Sequence, residues 1–76
     1  MLKIGDKVRI IRLELIDKES TNLQIGAIGT VEHIYGREDE FCNIAFSDVL
    51  EVTDDTNLNP DGTYVMYTNQ LKVIEE

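Results

Sequence analysis

The run with most chemical potential is short. Asn57, Asn59, Asp61 and Gly62 stand at the first, third, fifth and sixth places of a calcium-loop pattern, in which oxygen ligands alternate and a glycine permits the sharp turn. The twelfth place, which needs a bidentate glutamate, is Thr68. Without that carboxylate the run reads as an Asn-Pro, Asp-Gly turn at the root of a strand, and no metal ligand is assigned. Cys42 and His33 are the one thiol and the one imidazole of the chain. A hairpin around Glu38 would bring them near each other, but no third group that would orient the base can be placed. Cys42 alternates with Ile44 and Phe46, the pattern of a buried thiol that acts as a small hydrophobe. Glu38, Asp39 and Glu40, and the pair Asp54 and Asp55, fall in polar loops with no apolar pocket to shift their ionisation, so they read as solvated charge. Gly26 and Gly29 form a glycine-rich turn, yet no lysine follows them and no helix starts after Gly29, so a phosphate cradle is not supported. No catalytic residue and no cofactor are expected.

Strands must position these groups. Residues 6–15 open with period-2 alternation that points Val8 and Ile10 inward, then switch so that Ile11, Leu13 and Leu15 form the apolar set; a bulge or bend would reconcile the halves. Residues 16–24 lack a 3.6-residue stripe and read as an irregular loop anchored by Ile16 and Leu23. Gly26 and Gly29 then supply positive φ or close backbone approach for a turn into a second strand. There Ile28, Val31 and Ile34 are core candidates at a spacing of three, which implies a twisted, bulged strand. A charged hairpin tip over 35–40 leads to a third strand over 41–46. Residues 47–62 are a turn-rich excursion, 63–67 a fourth strand, 68–70 a single helical turn and 71–74 a last strand. This is an all-β pattern: a small five-stranded SH3-like barrel with a single-turn 3-10 helix before the last strand. A small sandwich or an oligonucleotide-binding-type barrel competes; the latter needs a longer chain and a helix before its fourth strand.

The 76 residues suffice for one domain near the lower size limit for folding without staples. One cysteine excludes an intrachain disulfide, so stability must come from an apolar core, which the 42% hydrophobic content can supply. No apolar run approaches the ~20 residues of a membrane span. The N-terminus has no signal-peptide h-region and reads as a mature start, which implies a soluble cytoplasmic protein. The net charge of −8 is unevenly laid out. Residues 1–35 carry five basic and five acidic groups, whereas 36–76 carry only Arg37 and Lys72 against ten acids. That half would repel nucleic-acid phosphates, so direct nucleic-acid binding is disfavoured and a basic protein partner is expected.

Residues 4–10 (Ile-Gly-Asp-Lys-Val-Arg-Ile), 25–31 (Ile-Gly-Ala-Ile-Gly-Thr-Val), 44–46 (Ile-Ala-Phe) and 69–74 (Asn-Gln-Leu-Lys-Val-Ile) resemble the SH3-like barrels of small accessory proteins. The same pattern occurs in the ferredoxin-docking subunit of photosystem I. It is also similar to the variable chain of ferredoxin–thioredoxin reductase, to the nitrile hydratase β-type fold and, in its middle, to the KOW element of ribosomal and transcription factors. The resemblance covers nearly the whole chain and implies a barrel rather than an activity. Compact SH3-like proteins of this size are also familiar from bacteria and phages.

The expected function is a non-catalytic interaction or accessory module. Its contact surfaces would be the loop 17–24, with Asp17 and Glu19, and the acidic excursion 51–61, with Glu51, Asp54, Asp55 and Asp61. Tyr35, Phe41, Tyr64 and Tyr67 accompany no tryptophan and no alignable acidic–aromatic loop, so a polyproline groove is not expected. The alternatives are a nucleic-acid- or ribosome-linked KOW-like module using Lys3, Lys7, Arg9 and Arg12, and an acidic DNA mimic.

Overall fold

A computed structural model describes residues 2–75 and, at Asp55, the backbone alone. β1 (Lys7–Ile10), β2 (Ile28–Tyr35), β3 (Phe41–Phe46), β4 (Tyr64–Tyr67) and β5 (Leu71–Val73) form one antiparallel sheet in the order β4-β3-β2-β1-β5. A helix, α1 (Leu15–Ser20), precedes β2, and 3-10 turns occupy Asp55–Asn57 and Thr68–Gln70.

β3 spans the residues that its alternation predicts, with Cys42 and Ile44 buried on one face. β2 carries the bulge, a register shift against β3 between Val31 and His33. Val31 is buried, while Ile28 is 44% exposed and leaves the expected core set, because it pairs with Arg9 on the outer side of the sheet. The change of alternation after Ile10 marks the end of β1 rather than a bulge inside a longer strand. The Ile11 N–H still donates to the Gln70 carbonyl at 2.8 Å, one last rung in register with β5, and the strand ends there.

The irregular loop expected over 16–24 is instead a six-residue helix followed by extended chain. Six residues are too few to show a stripe, and a helix of that length has little stability of its own. Asp17, in its first turn, accepts the Glu14 N–H at 3.0 Å and so satisfies one of the free donors at the helix start.

The sheet is not closed into a barrel by hydrogen bonds. β4 and β5 are consecutive in sequence yet lie at opposite edges. In a flat sheet, four inter-strand steps would separate them by ~19 Å, more than the ~14 Å that the link through Thr68–Gln70 reaches fully extended. The sheet therefore curls, and a polar side chain spans the open seam. Gln70, 1% exposed, accepts the Tyr67 N–H at 2.9 Å and donates to the Arg12 carbonyl at 3.2 Å and to Asp17 Oδ2 at 2.9 Å. Inside the curl pack Val8, Ile10, Val31, Ile44, Tyr64 and Met66, all nearly inaccessible.

Candidate functional site

Asp17 is 3% exposed, so it is not the accessible contact group expected of loop 17–24. Its Oδ1 accepts the Tyr64 hydroxyl at 2.8 Å, and its Oδ2 accepts from Gln70 and from the Glu14 backbone. Three donors on one buried carboxylate fasten α1 to β4 and to the seam. Burial above all, and the bond to Asp17 next, push the Tyr64 hydroxyl up to about 12.

The other expected contact residues divide into two places. Segments that are some thirty residues apart in sequence run side by side. Thr21 forms an antiparallel bridge with Val52, the Thr53 N–H donates to the Ser20 carbonyl at 2.8 Å, and the Asn22 N–H donates to the Glu51 carbonyl at 3.1 Å. The Asn22 side chain completes the seam: its Nδ2 donates to the Val49 carbonyl and its Oδ1 accepts the Glu51 N–H, each at 2.9 Å. Glu19 and Asp54 are the residues next to the bonded pair Ser20 and Thr53, so exposed Glu19, Glu51 and Asp54 share one ridge. Val49, 80% exposed, lies at the same seam. The Asp55 side chain lies outside the described residues. Asp61 is elsewhere, on a depression that it shares with Glu32 and Asp48, two acids that the sequence reading did not single out.

Thr56 bonds hold the Asp54 carboxyl below the usual carboxylate range, and Thr63 bonds do the same for Asp61. The run 57–62 is the turn at the root of β4. Asp61 Oδ1 accepts from the Thr63 N–H and hydroxyl, and the Asn59 amide donates to the same hydroxyl at 3.0 Å. Cys42 and His33 do not meet. Cys42 is buried on the inner face, opposite Ile34 and Met66, whereas His33 is exposed in the next register row opposite Asn43. Burial pushes the Cys42 thiol up to about 11, away from the reactive thiolate.

The glycines take the two jobs open to them. Gly26 has φ +94 and opens the turn into β2. Gly29 is a close-approach position, where an added Cβ would lie 2.5 Å from Ile44 Cγ2 and 3.0 Å from the Ala45 carbonyl oxygen.

No family model, curated protein or solved structure matches this chain.

One surface escaped the sequence reading. The registers Tyr35↔Phe41 and Phe41↔Tyr67 align three aromatic side chains across β2, β3 and β4. His33 stacks on Tyr35 and continues the row, with ring centroids at 5.8, 5.7 and 5.2 Å along it. Each residue was visible in sequence, but the row depends on the β2 bulge, which sets which side of the strand His33 and Tyr35 occupy.

Proposed function

We propose that this chain is a non-catalytic interaction module that docks on a basic protein partner through the ridge of Glu19, Glu51 and Asp54. The observation that carries the reading is the Asn22 seam. It holds two acidic segments in one fixed surface, with exposed Val49 among them. A docking face of this kind needs an apolar contact surrounded by charges that steer the encounter, and both are present in one place. The lowered Asp54 carboxyl keeps its charge under mildly acidic conditions. Cys42 and His33, on separate faces, offer no nucleophile and base to a substrate. We further read the curled five-stranded sheet, with its 3-10 turn before β5, as the SH3-like barrel that the sequence resembles, left open along the Gln70 seam.

The test is affinity capture with the tagged full chain and with a Glu19→Gln, Glu51→Gln, Asp54→Asn variant. A partner held at low salt by the native chain should be lost with the triple variant and released as ionic strength rises. Equal recovery by both chains sinks the acidic-ridge reading. A second reading rests on a different face: Arg9 pairs with Lys72 across β1 and β5, and Lys7 lies two residues before Arg9 on the same exposed side. These cations support the KOW-like, nucleic-acid-linked alternative. A gel shift in low salt with duplex and single-stranded probes decides it, since absence of a complex there excludes direct contact.

A further inference from the structure

The aromatic row does not end at Tyr67. It runs into a groove of about 530 Å³ between α1 and the end of β4, where Leu15 (69% exposed) and Ile16 supply an apolar wall and Phe41 and Tyr67 the floor. The charged groups on the groove wall are Glu14 and Asp17, and among its described lining residues there is no lysine or arginine. Beside the middle of the row, the Glu40 carboxylate and the edge of the Phe41 ring both border the position that a Cβ on Gly36 would take. Arg37 is the cation nearest in sequence, exposed at the hairpin tip. Aromatic faces attract cations through the ring quadrupole, and guanidinium also stacks flat on them. Carboxylates beside Phe41 and in the groove add to that preference and oppose a phosphate backbone.

We propose that the row His33, Tyr35, Phe41 and Tyr67, with its groove, binds an extended, arginine-bearing segment of a protein partner. An extended chain sends alternate side chains to one side every ~6.6 Å. The ring spacing of 5.2 to 5.8 Å is close to that repeat, so every second side chain can meet the next ring. Arginines lie over Tyr35 and Tyr67 within reach of Glu40 and Glu14, and an apolar side chain enters beside Leu15. None of Glu19, Glu51 and Asp54 lines this groove, and the proposal does not depend on their ridge.

The experiment is an amide-resolved NMR titration of the full chain with a capped heptapeptide that carries arginine at its first, third and fifth places, leucine at its seventh and serine between, so that all four face one side. Controls are the same peptide with glutamate in place of arginine, and a thymidine octanucleotide. Saturating shifts should centre on Tyr35, Phe41 and Tyr67 and be absent with the glutamate peptide. Tyr67→Ala should weaken binding about five-fold, the loss of one cation–π contact, while Tyr67→Trp keeps it. Glu14→Gln, on an exposed side chain, should weaken it about two-fold without touching the rings. A Glu51→Gln, Asp54→Asn variant should bind the peptide as the native chain does, which separates this proposal from the ridge reading. Equal binding of the arginine and glutamate peptides overturns the proposal, as does unchanged binding by Tyr67→Ala. Tighter binding of the octanucleotide than of the peptide makes the row a base-stacking surface and overturns it too.

Discussion

At single residues, two glycines that look alike in sequence fail for different reasons when changed. Gly29→Ala meets Ile44 Cγ2 and the Ala45 carbonyl with no backbone strain at its own φ, so the expected loss is overpacking, ~1–3 kcal/mol. Gly26→Ala meets nothing within 4 Å but must hold φ +94, which costs about 1–2 kcal/mol. Urea unfolding of both variants should lower the midpoint in each case. Measured on an Ile44→Ala background, which removes Cγ2, the loss from Gly29→Ala should shrink while that from Gly26→Ala should not. Two buried protons also set a pH dependence. Cys42 is raised from 9.0 to about 11 by burial, and Tyr64 from 10.0 to about 12 by burial and then Asp17. Both folded-state values lie above the unfolded ones, so the native chain binds these protons more tightly. Their stabilisation is complete below pH 9 and is lost as pH climbs through 11 and 12. The urea midpoint should fall over that window. Tyr64→Phe, though less stable at neutral pH for want of the bond to Asp17, should flatten the fall above pH 10. A native midpoint that stays level from pH 9 to 12 refutes the assignment.

At the scale of elements, the seam rather than any ladder joins the two edges of the sheet. Gln70→Ala leaves the Tyr67 N–H, the Arg12 carbonyl and one Asp17 oxygen short of a partner, and should cost about 2–3 kcal/mol. Hydrogen exchange should speed up at Tyr67 and in α1 well before it does in β2 and β3, and uniform acceleration across the sheet would show that the seam is no separate unit. β3 and the β2 bulge were legible in sequence because each is written in a local period: Cys42 and Ile44 two apart, then Val31 and Ile34 three apart across the bulge, although Ile28, read in the same set, lies outside. α1 was not, since its helix rests on Asp17 meeting Tyr64 and Gln70, 47 and 53 residues away. Separations of 27 and 29 residues likewise hid the Asn22 seam, and the distant partners of Asp17 turned it from an apparent surface acid into a buried one. Within one strand alternation is visible, but the aromatic row exists only once three strands share a register.

Over the whole molecule, charge and curvature work against each other. The curl brings a chain of net charge −8 into a Cα radius of gyration of 11.2 Å. Glu19, Glu51 and Asp54 gather on one ridge, while Glu32, Asp48 and Asp61 line one depression. Like charges held closer than in the unfolded chain repel, and that repulsion weakens the folded state. Salt should therefore stabilise this protein near neutral pH, since screening at physiological ionic strength reaches charges more than ~8 Å apart. A screening gain of about 1 kcal/mol corresponds to a rise in Tm of ~4–8 °C for a chain of this size. Calorimetry at pH 7 between low and physiological sodium chloride should show that rise, and the Glu19→Gln, Glu51→Gln, Asp54→Asn variant should show a smaller one from a higher starting Tm. The same three substitutions are expected to abolish docking on a basic partner. If they leave both the Tm and its salt response unchanged, the ridge is not a site of repulsion, and the case for charge held in place for a partner loses its physical basis.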